Sequence, residues 1–505
     1  MNQSESEGRP VRHRLSAAFL CCMLATISVV PCRAVESLPS LGDPSSDELS
    51  PLAERKLGED IMRQAREADD IFNDPVSTEY LNEFGLNLIQ HAPPSPQPFE
   101  FFLVLDRDIN AFALPGGYIG VNTGLIIATE SESELASVLS HEMGHVIQRH
   151  IARGMDRQAK TGPLALAAML LGALAAAKAR QADAGEAALT MGAGFEIADQ
   201  LSFSREAERE ADRVGFQILQ DSGFDAAAMA TFFQRLQQAT AIYENGAPEW
   251  LRDHPVTSER IADIQNRVHV SHYRQRPDSL DFQLIRARLK VLQNITVQGL
   301  RDAEVAFNDQ LQHGNYANEA AIHYGLAVAM LREEKLTGAE RELERVQKLY
   351  PKPDPVIANF QIELKRAQKD LPGALAAAKL AGEEFPHVRS LSWQYAQILQ
   401  EMGRNDDAVA YLRDQIAQYT SEPTLYELLA KSYTVTGQTL LEHKTLAEEY
   451  YLRGSVQAAI EQLNLAHKAG GSDFYELSQI DARLTQLKAE WADIQKQRKD
   501  AKRGS

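Results

Sequence analysis

Apolar side chains recur every three or four residues over most of this chain, and short runs of aromatic and β-branched residues lie between these stretches. Residues 52–62 and 77–91 therefore predict helices, the second ended by a proline-rich turn. Residues 99–105 predict a strand, and residues 110–124 predict two short strands around the Pro-Gly-Gly turn at 115–117. A sheet edge here either binds an extended peptide by main-chain pairing or belongs to an ordinary hairpin.

A helical pattern without proline covers residues 131–151 and carries the sequence His141-Glu-x-x-His145. Two histidines four residues apart lie one turn apart on the same face of a helix, so both imidazoles can reach one metal ion. Glu142 lies beside them and can take a proton from a water bound to that ion. The motif is short enough to occur by chance, so two ordinary histidines are the alternative until a third ligand is found.

Residues 204–215 predict another helix, which is dense in carboxylates. Such density is usual on a solvated helix face with opposite charges four residues apart. Beside an H-E-x-x-H motif it has a second interpretation, because Glu208 and Asp212 are one turn apart. One of them can bind zinc while the other orients a ligand histidine. Glu206 and Glu210 point to other faces of this helix and are poorer candidates.

The stretch 253–260 holds two further candidates. Thr257 or Ser258 can cap a helix that is predicted to begin at Glu259. His254 is either a turn histidine or faces the zinc, where it stabilises the tetrahedral oxyanion or regulates the site as a fourth ligand in the open position. Arg260 is a candidate for binding the developing oxyanion or a substrate carboxylate.

Residues 163–177 are apolar on every face and too few to cross a bilayer comfortably as a helix. A buried helix or a hydrophobic flap in the core is one interpretation. The other is a mobile lid over residues 163–178 that makes peripheral contact with a membrane, or with an unfolded client, near the metal.

From about residue 279 onward the pattern is almost entirely helical, and it repeats. The pairs Gly338-Ala339, Gly373-Ala374 and Asp407-Ala408 fall 35 and 34 residues apart, close to the tetratricopeptide period. Stacked helix pairs of this kind form a curved groove that can hold a peptide or a partner, and a plain helical bundle is the alternative. A further unit at 446–463 breaks the period, which predicts a longer connection before it.

The N-terminus has the parts of a secretory signal: arginines at 9, 12 and 14, an apolar stretch at 15–30 and a small-x-small site at 32–34. A retained anchor is the alternative. All three cysteines lie within residues 1–34, so cleavage leaves no thiol, which suits the oxidising periplasm and excludes cysteine-based catalysis. The net charge of −18 argues against binding to nucleic acid.

The motifs of the first half are similar to those of the zinc peptidase family that includes the CAAX prenyl protease and bacterial HtpX. The similarity is carried by the H-E-x-x-H motif with Arg149-His150 after it and by the pattern Glu208-x-x-Ala-Asp212-x-x-Gly. The Asn-Ala-Phe-Ala-Leu-Pro-Gly-Gly stretch before them also resembles the family. The resemblance implies one zinc ion (Zn²⁺) per chain, held by His141, His145 and Glu208. It also implies that Asp212 supports the site while Glu142 is the catalytic base.

The family also carries a His-Pro-x-x-x-x-Arg pattern, which places His254 and Arg260 toward the active site. The fold class expected is mainly α with a small β-sheet: a zincin-type metalloprotease domain followed by a tetratricopeptide-repeat α-solenoid. Because 505 residues are too many for one core, we expect a signal peptide at 1–34, the metalloprotease domain at 35–275 and the repeat domain at 276–505.

The order of these parts resembles bacterial periplasmic proteases that assist or degrade precursors of outer-membrane β-barrel proteins. The resemblance implies a zinc endopeptidase with a chaperone-like role, and unfolded or stalled barrel proteins as its clients. It also implies two partners, the barrel-assembly machinery and the barrel component of lipopolysaccharide export. The alternative is a mainly non-proteolytic chaperone or scaffold that works through its repeats. A metal-free, degenerate domain is disfavoured because every required ligand is present.

Overall fold

The structure is a computed structural model that describes residues 49–68, 70–157, 171–172, 174–175, 203–240, 248–270, 276–470 and 474–504. Within these residues the fold is mainly helical with one small sheet, as predicted. None of the helices described there is long and apolar enough to cross a membrane.

The strands are β1 (Glu100–Val104), β2 (Ala111–Leu114) and β3 (Tyr118–Asn122). The helices before the repeats are Pro51–Glu67, Pro75–Gln90, Thr123–Ala128, Glu132–Ile147, His150–Arg157, Arg205–Asp221, Ala227–Thr240, Glu249–Asp253 and Ser258–Val270. The later helices are Leu280–Leu292, Val297–His313, Glu319–Arg332, Leu336–Leu349, Pro355–Ala367, Leu371–Glu384, Arg389–Glu401, Asn405–Gln418, Pro423–Thr436, Thr439–Leu452, Val456–Ala469 and Phe474–Gly504.

The sheet has β3 at its centre, paired with β1 in parallel and with β2 in antiparallel register. A 3-10 turn over Pro115–Gly117 joins β2 to β3, which confirms the two predicted strands around a Pro-Gly-Gly turn. Gly116 and Gly117 have φ angles of 81° and 87°, a left-handed conformation that suits glycine. The helix Pro51–Glu67 covers this turn, where Arg55 donates to the carbonyl oxygen of Gly116 at 2.7 Å.

Two helices form the centre of the core: Glu132–Ile147, here named the metal helix, and Arg205–Asp221, the carboxylate helix. They pack closely because glycines lie in the contact. A Cβ on Gly144 would lie 2.8 Å from a backbone carbonyl oxygen of the carboxylate helix. A Cβ on Gly215 would lie 2.9 Å from the backbone nitrogen of His141. Any side chain at either position would push the two helices apart.

The metal helix ends earlier than the sequence predicts. The pattern predicts one helix over 131–151, but the metal helix ends at Ile147 and the next helix begins at His150. Arg149 lies between them with a φ of 53°, a left-handed conformation that interrupts an α-helix. Its guanidinium donates to the carboxylate of Glu54 and to a backbone carbonyl that precedes the first helix. These contacts hold the break in place.

The second half stacks its helices in pairs. The first helices of three successive pairs begin 34 residues apart, at Pro355, Arg389 and Pro423. Ala374 and Ala408, which mark the predicted repeats, are fully buried between helices. The predicted repeat period is therefore confirmed for this part of the chain.

The longer connection predicted before residues 446–463 is wrong. The helix Pro423–Thr436 fills that interval, and short turns join it to the helices on either side. Its partner helix Thr439–Leu452 carries Leu441-Glu442 where the earlier second helices carry Gly-Ala or Asp-Ala. The repeat therefore continues in the structure where its small-residue signature is lost from the sequence.

The repeats pack back against the first half, and one apolar core continues across both. The buried guanidinium of Arg288 binds Asp74 from the first half at 2.7 Å and Glu363 from the repeats at 3.0 Å. Glu79 accepts from the backbone N–H of Ser390 at 3.1 Å. Because the chain after residue 47 forms one compact unit, the predicted boundary between the two domains stays a prediction.

The apolar segment 163–178 is described only at residues 171–172 and 174–175. Leu174 is buried, and Leu171 partly so, against a cluster that includes Ile61 and Tyr118. The rest of this segment and the predicted signal peptide at 1–34 lie outside the described residues.

Candidate metal centre

Four side chains converge between the two central helices: His141, His145, Glu208 and His254. One ligand atom of each lies within 4.8 Å of the other three, and all four residues are at most 2% exposed. The Nε2 atoms of His141 and His145 are 3.0 Å apart, and each lies 3.5 Å from a carboxylate oxygen of Glu208. The structure thus brings together the three predicted ligands and the predicted fourth residue.

His254 completes this cluster from the loop before the helix Ser258–Val270. Its Nδ1 lies 3.0 Å from Glu208 and 3.4 Å from Nε2 of His141. Its Nε2 lies 3.5 Å from Glu142. The hydroxyl of Thr257 accepts from the backbone N–H of Arg260 at 3.3 Å, which confirms the predicted cap of this helix. His254 therefore stands between the predicted base and the predicted third ligand.

Asp212 and Arg260 lie behind the ligand set. Oδ1 of Asp212 lies 3.0 Å from Nδ1 of His141, while two nitrogens of Arg260 donate to Asp212 at 2.7 and 2.8 Å. The same guanidinium lies 2.8 Å from Glu208 and donates to the carbonyl oxygen of Pro255 at 2.9 Å. Most donors of Arg260 are thus engaged within the protein. These contacts indicate that Arg260 offsets part of the negative charge of Asp212 and Glu208. The predicted contact of Arg260 with substrate stays a prediction.

Glu142 is fully buried beside the cluster. Its Oε1 accepts from the indole N–H of Trp250 at 3.1 Å. Its Oε2 has no hydrogen-bond partner among the described residues. An unsatisfied buried carboxylate oxygen is costly, so this atom is well placed to bind a water or a substrate group.

Aromatic rings enclose the cluster. Phe203 stacks on the imidazole of His145 with ring centroids 4.0 Å apart, and Trp250 stacks on His254 at 5.1 Å. These rings exclude water and fix the planes of two imidazoles. Neither residue was predicted from the sequence, because no motif marks an aromatic residue that reaches the metal centre from a separate segment.

His150 and Glu210, for which the sequence predicted no role at the metal, lie behind His145. Nδ1 of His150 lies 2.9 Å from Nδ1 of His145, and its Nε2 lies 3.0 Å from Glu210. Arg153 donates to the same carboxylate at 2.9 Å. As predicted, Glu210 is not among the ligands. It contacts His150, which in turn contacts the ligand His145. A basic residue followed by histidine just after the motif was the available signal.

The pKa values of the groups in this centre follow from their burial and from these partners. Burial opposes a charge on His141, but the combined effect of the carboxylates of Asp212 and Glu208 outweighs it and raises the pKa to about 9. Burial lowers the pKa of His145 well below its usual value. For Glu208, burial favours the neutral acid, yet the nearby histidines hold its pKa well below the usual range. The centre therefore contains a carboxylate that stays ionised among donor nitrogens.

This donor set fits a divalent metal ion. Two imidazole nitrogens and one carboxylate converge, and the second nitrogen of each ligand histidine lies within 3.0 Å of a polar atom of a neighbour. Such outer contacts fix the tautomer that leaves Nε2 free to bind metal. Three protein ligands with one further position are typical of catalytic zinc sites.

Comparison with known proteins defines the class. Residues 75–268 match the family model "Peptidase family M48". The "Beta-barrel assembly-enhancing protease" of Escherichia coli is 30% identical over 481 residues, which covers 95% of this chain and 97% of that protein. The "Putative beta-barrel assembly-enhancing protease" of Vibrio cholerae is 32% identical, with 93% and 96% covered. The "Metalloprotease LoiP" of Escherichia coli is 29% identical over 38% of this chain and 73% of that protein.

The chain is a metalloprotease that belongs to peptidase family M48, and this membership implies a divalent metal ion. Within the family it is similar over nearly its whole length to the proteins named β-barrel assembly-enhancing proteases.

Proposed function

We propose that the chain is a zinc endopeptidase whose ion is held by His141, His145 and Glu208. The observation that carries this proposal is the convergence of these three donors, all buried, beside the partner-free oxygen of Glu142. Zinc bound there supplies a Lewis acid and acidifies a bound water. The arrangement is that of a centre built for peptide-bond hydrolysis.

Glu142 is the proton carrier in this proposal. It takes the proton of the attacking water at Oε2 and later passes it to the leaving amine. Trp250 fixes the carboxylate by donating to the other oxygen at 3.1 Å. Asp212 holds the tautomer of His141, while Arg260 neutralises the charge of Asp212 and Glu208. The stacked rings of Phe203 and Trp250 shield the site from bulk water.

We propose that His254 restrains this activity. Its contact with Glu208 at 3.0 Å places it among the donors, where an attacking water or a substrate carbonyl would have to enter. His254→Ala should therefore cleave faster than the wild-type protein. A role of His254 in oxyanion stabilisation requires the opposite, a slower variant, so the sign of the change separates the two roles.

The substrates we propose are unfolded or stalled outer-membrane β-barrel proteins in the periplasm, reached through the predicted signal peptide at 1–34. The support is the similarity to β-barrel assembly-enhancing proteases, which align with 95% of this chain. β2 forms one edge of the sheet among the described residues, and an extended peptide could form a further strand at such an edge. The barrel-assembly machinery and the lipopolysaccharide-export barrel are the partners proposed with these clients.

A second candidate function is a non-proteolytic chaperone or scaffold, favoured by the position of His254 inside the donor cluster. In that case the repeats, proposed at 276–505, bind the client while the protease stays closed. An experiment in cells distinguishes the two functions. A chaperone should still support barrel assembly as the Glu142→Gln variant, whereas a variant impaired in the repeats should not.

The test of the protease is Glu142→Gln on the purified protein. We expect the variant to keep about one zinc per chain and to cleave casein at least ~100-fold more slowly, because a general base contributes on that order. The exposed Glu206 on the carboxylate helix supplies the matched control, and Glu206→Gln should cleave normally. Casein cleavage at the wild-type rate by Glu142→Gln would end the proposal.

A further inference from the structure

We propose that His150 and Glu210 form a relay that positions His145 and sets the affinity of the centre for its metal. The proposal rests on the proposed function only in taking His145 as a metal ligand. His150 does not face the donor cluster. It acts through His145, and is therefore a positioning residue.

The contact between the two imidazoles depends on the break after the metal helix. Residues five apart on a continuous α-helix point about 140° away from each other, so His150 would face away from His145. The left-handed φ of 53° at Arg149 ends the helix and turns the next one back. The two Nδ1 atoms then lie 2.9 Å apart.

The break is held from outside the helix. Arg149 donates to Glu54 at 3.2 Å, and Glu54 is 2% exposed. A non-glycine residue in this conformation costs about 1 kcal/mol, so the surrounding contacts must outweigh it. The strained backbone at Arg149 thus brings the imidazole of His150 behind the ligand His145.

The partners determine where the protons lie. If Nε2 of His145 binds metal, its Nδ1 carries the hydrogen and donates to Nδ1 of His150. His150 must then carry its own hydrogen on Nε2, which donates to Glu210 at 3.0 Å. Arg153 binds the same oxygen of Glu210 at 2.9 Å and fixes the end of the relay.

The two ligand histidines are thus supported differently. A carboxylate, Asp212, is in direct contact with His141. A second imidazole separates His145 from its carboxylate, Glu210. A directly bonded carboxylate makes an imidazole more basic than a neutral imidazole does, so His145 is the weaker donor of the pair. The relay compensates by fixing its ring, which His150 contacts on one side and Phe203 covers on its face.

The experiment measures metal affinity apart from catalysis. Zinc affinity of the full chain is determined by competition with a chromophoric chelator, and the visible spectrum of the cobalt-substituted protein reports ligand geometry. We expect His150→Ala to bind zinc about 10- to 100-fold more weakly, the usual effect of losing an outer contact. His150→Gln, whose amide can accept from His145 and donate to Glu210, should recover most of this affinity.

Glu210→Gln keeps a hydrogen bond to His150 but removes the charge, and should weaken zinc binding about threefold. Glu206→Gln, one turn away and exposed, is the matched control and should bind normally. Should His150→Ala fail to fold, as judged by its thermal unfolding, Glu210→Ala decides the matter, since Glu210 is only partly buried. Zinc affinity within twofold of wild type in His150→Ala, or in Glu210→Ala where His150→Ala does not fold, would overturn the relay. His141→Ala distinguishes the two proposals, because unchanged zinc binding by that variant would instead overturn the ligand set.

Discussion

The centre of the first half and the repeats of the second are both built from paired helices, but they bury different groups. Between the metal helix and the carboxylate helix lie ionisable side chains, brought together by Gly144 and Gly215. Between the repeat helices lie alanines such as Ala374 and Ala408. Buried charges require fixed geometry, because each unpaired charge is costly, whereas apolar contacts tolerate small shifts. Close helix packing therefore positions ionisable side chains in the first half, whereas alanines such as Ala374 and Ala408 allow the helices of the repeats to stack.

The largest difference should appear when an ion pair is broken. Arg288→Met leaves Asp74 buried without its partner, and should lower the free energy of unfolding by about 3–5 kcal/mol. The matched change within the repeats is Arg366→Met. Its partner Glu401 is 41% exposed at the side chain, so the cost should stay below ~1 kcal/mol. Chemical denaturation of both variants gives the comparison, and equal costs would contradict it.

A smaller effect of opposite sign in the two halves is expected from glycine. Gly215→Ala places a methyl group 2.9 Å from the backbone of His141, so we expect a loss of about 1–3 kcal/mol together with weaker zinc binding. Gly382 lies in a repeat helix where a Cβ meets nothing within 4 Å. Gly382→Ala should therefore stabilise the protein by up to about 1 kcal/mol. Thermal unfolding measures the stability of both variants. Stabilisation by Gly215→Ala would show that the contact between the metal helix and the carboxylate helix can accommodate a methyl group.

The smallest of these effects is a dependence on pH where the two halves meet. Burial, with a hydrogen bond to Asp354, raises the pKa of Asp281 to about 8. An acid with a raised pKa stabilises the fold fully only below the unfolded value of 3.8, and this contribution is lost as pH rises toward 8. Asp281→Asn cannot ionise, and should raise Tm by a few degrees at pH 8 and by less at pH 5.

The control for this pH effect is Asp406→Asn in the repeats, at an exposed position. It should change Tm equally little at both pH values. An equal gain at pH 5 and pH 8 from Asp281→Asn would mean that its carboxyl group is not protonated in the folded protein.

The sequence predicted what depends on local spacing. His141 and His145 share a helix face because they are four residues apart, and the repeat period follows from small residues that recur. The carboxylates on the other faces of the carboxylate helix are chemically like Glu208, so their presence alone does not identify the ligand. The family pattern made Glu208 the specific candidate.

The remaining features depend on distant contacts. The left-handed turn at Arg149 has no signature in the neighbouring residues, because Glu54 holds it from 95 residues earlier. Trp250 and Phe203 likewise approach the centre from segments without a motif. Helix ends and enclosing walls are set by tertiary packing, which local periodicity does not record.

The position of these residues along the chain has a consequence for the order of synthesis. Every donor of the metal centre precedes residue 261, whereas the backbone of Gly454 lies so near Arg63 of the first helix that a Cβ there would be 3.1 Å from that side chain. A growing polypeptide thus holds a complete set of metal donors before the last repeats exist to cover that helix. The restraint proposed for His254 lies in the first half together with these donors, so it does not depend on the last repeats.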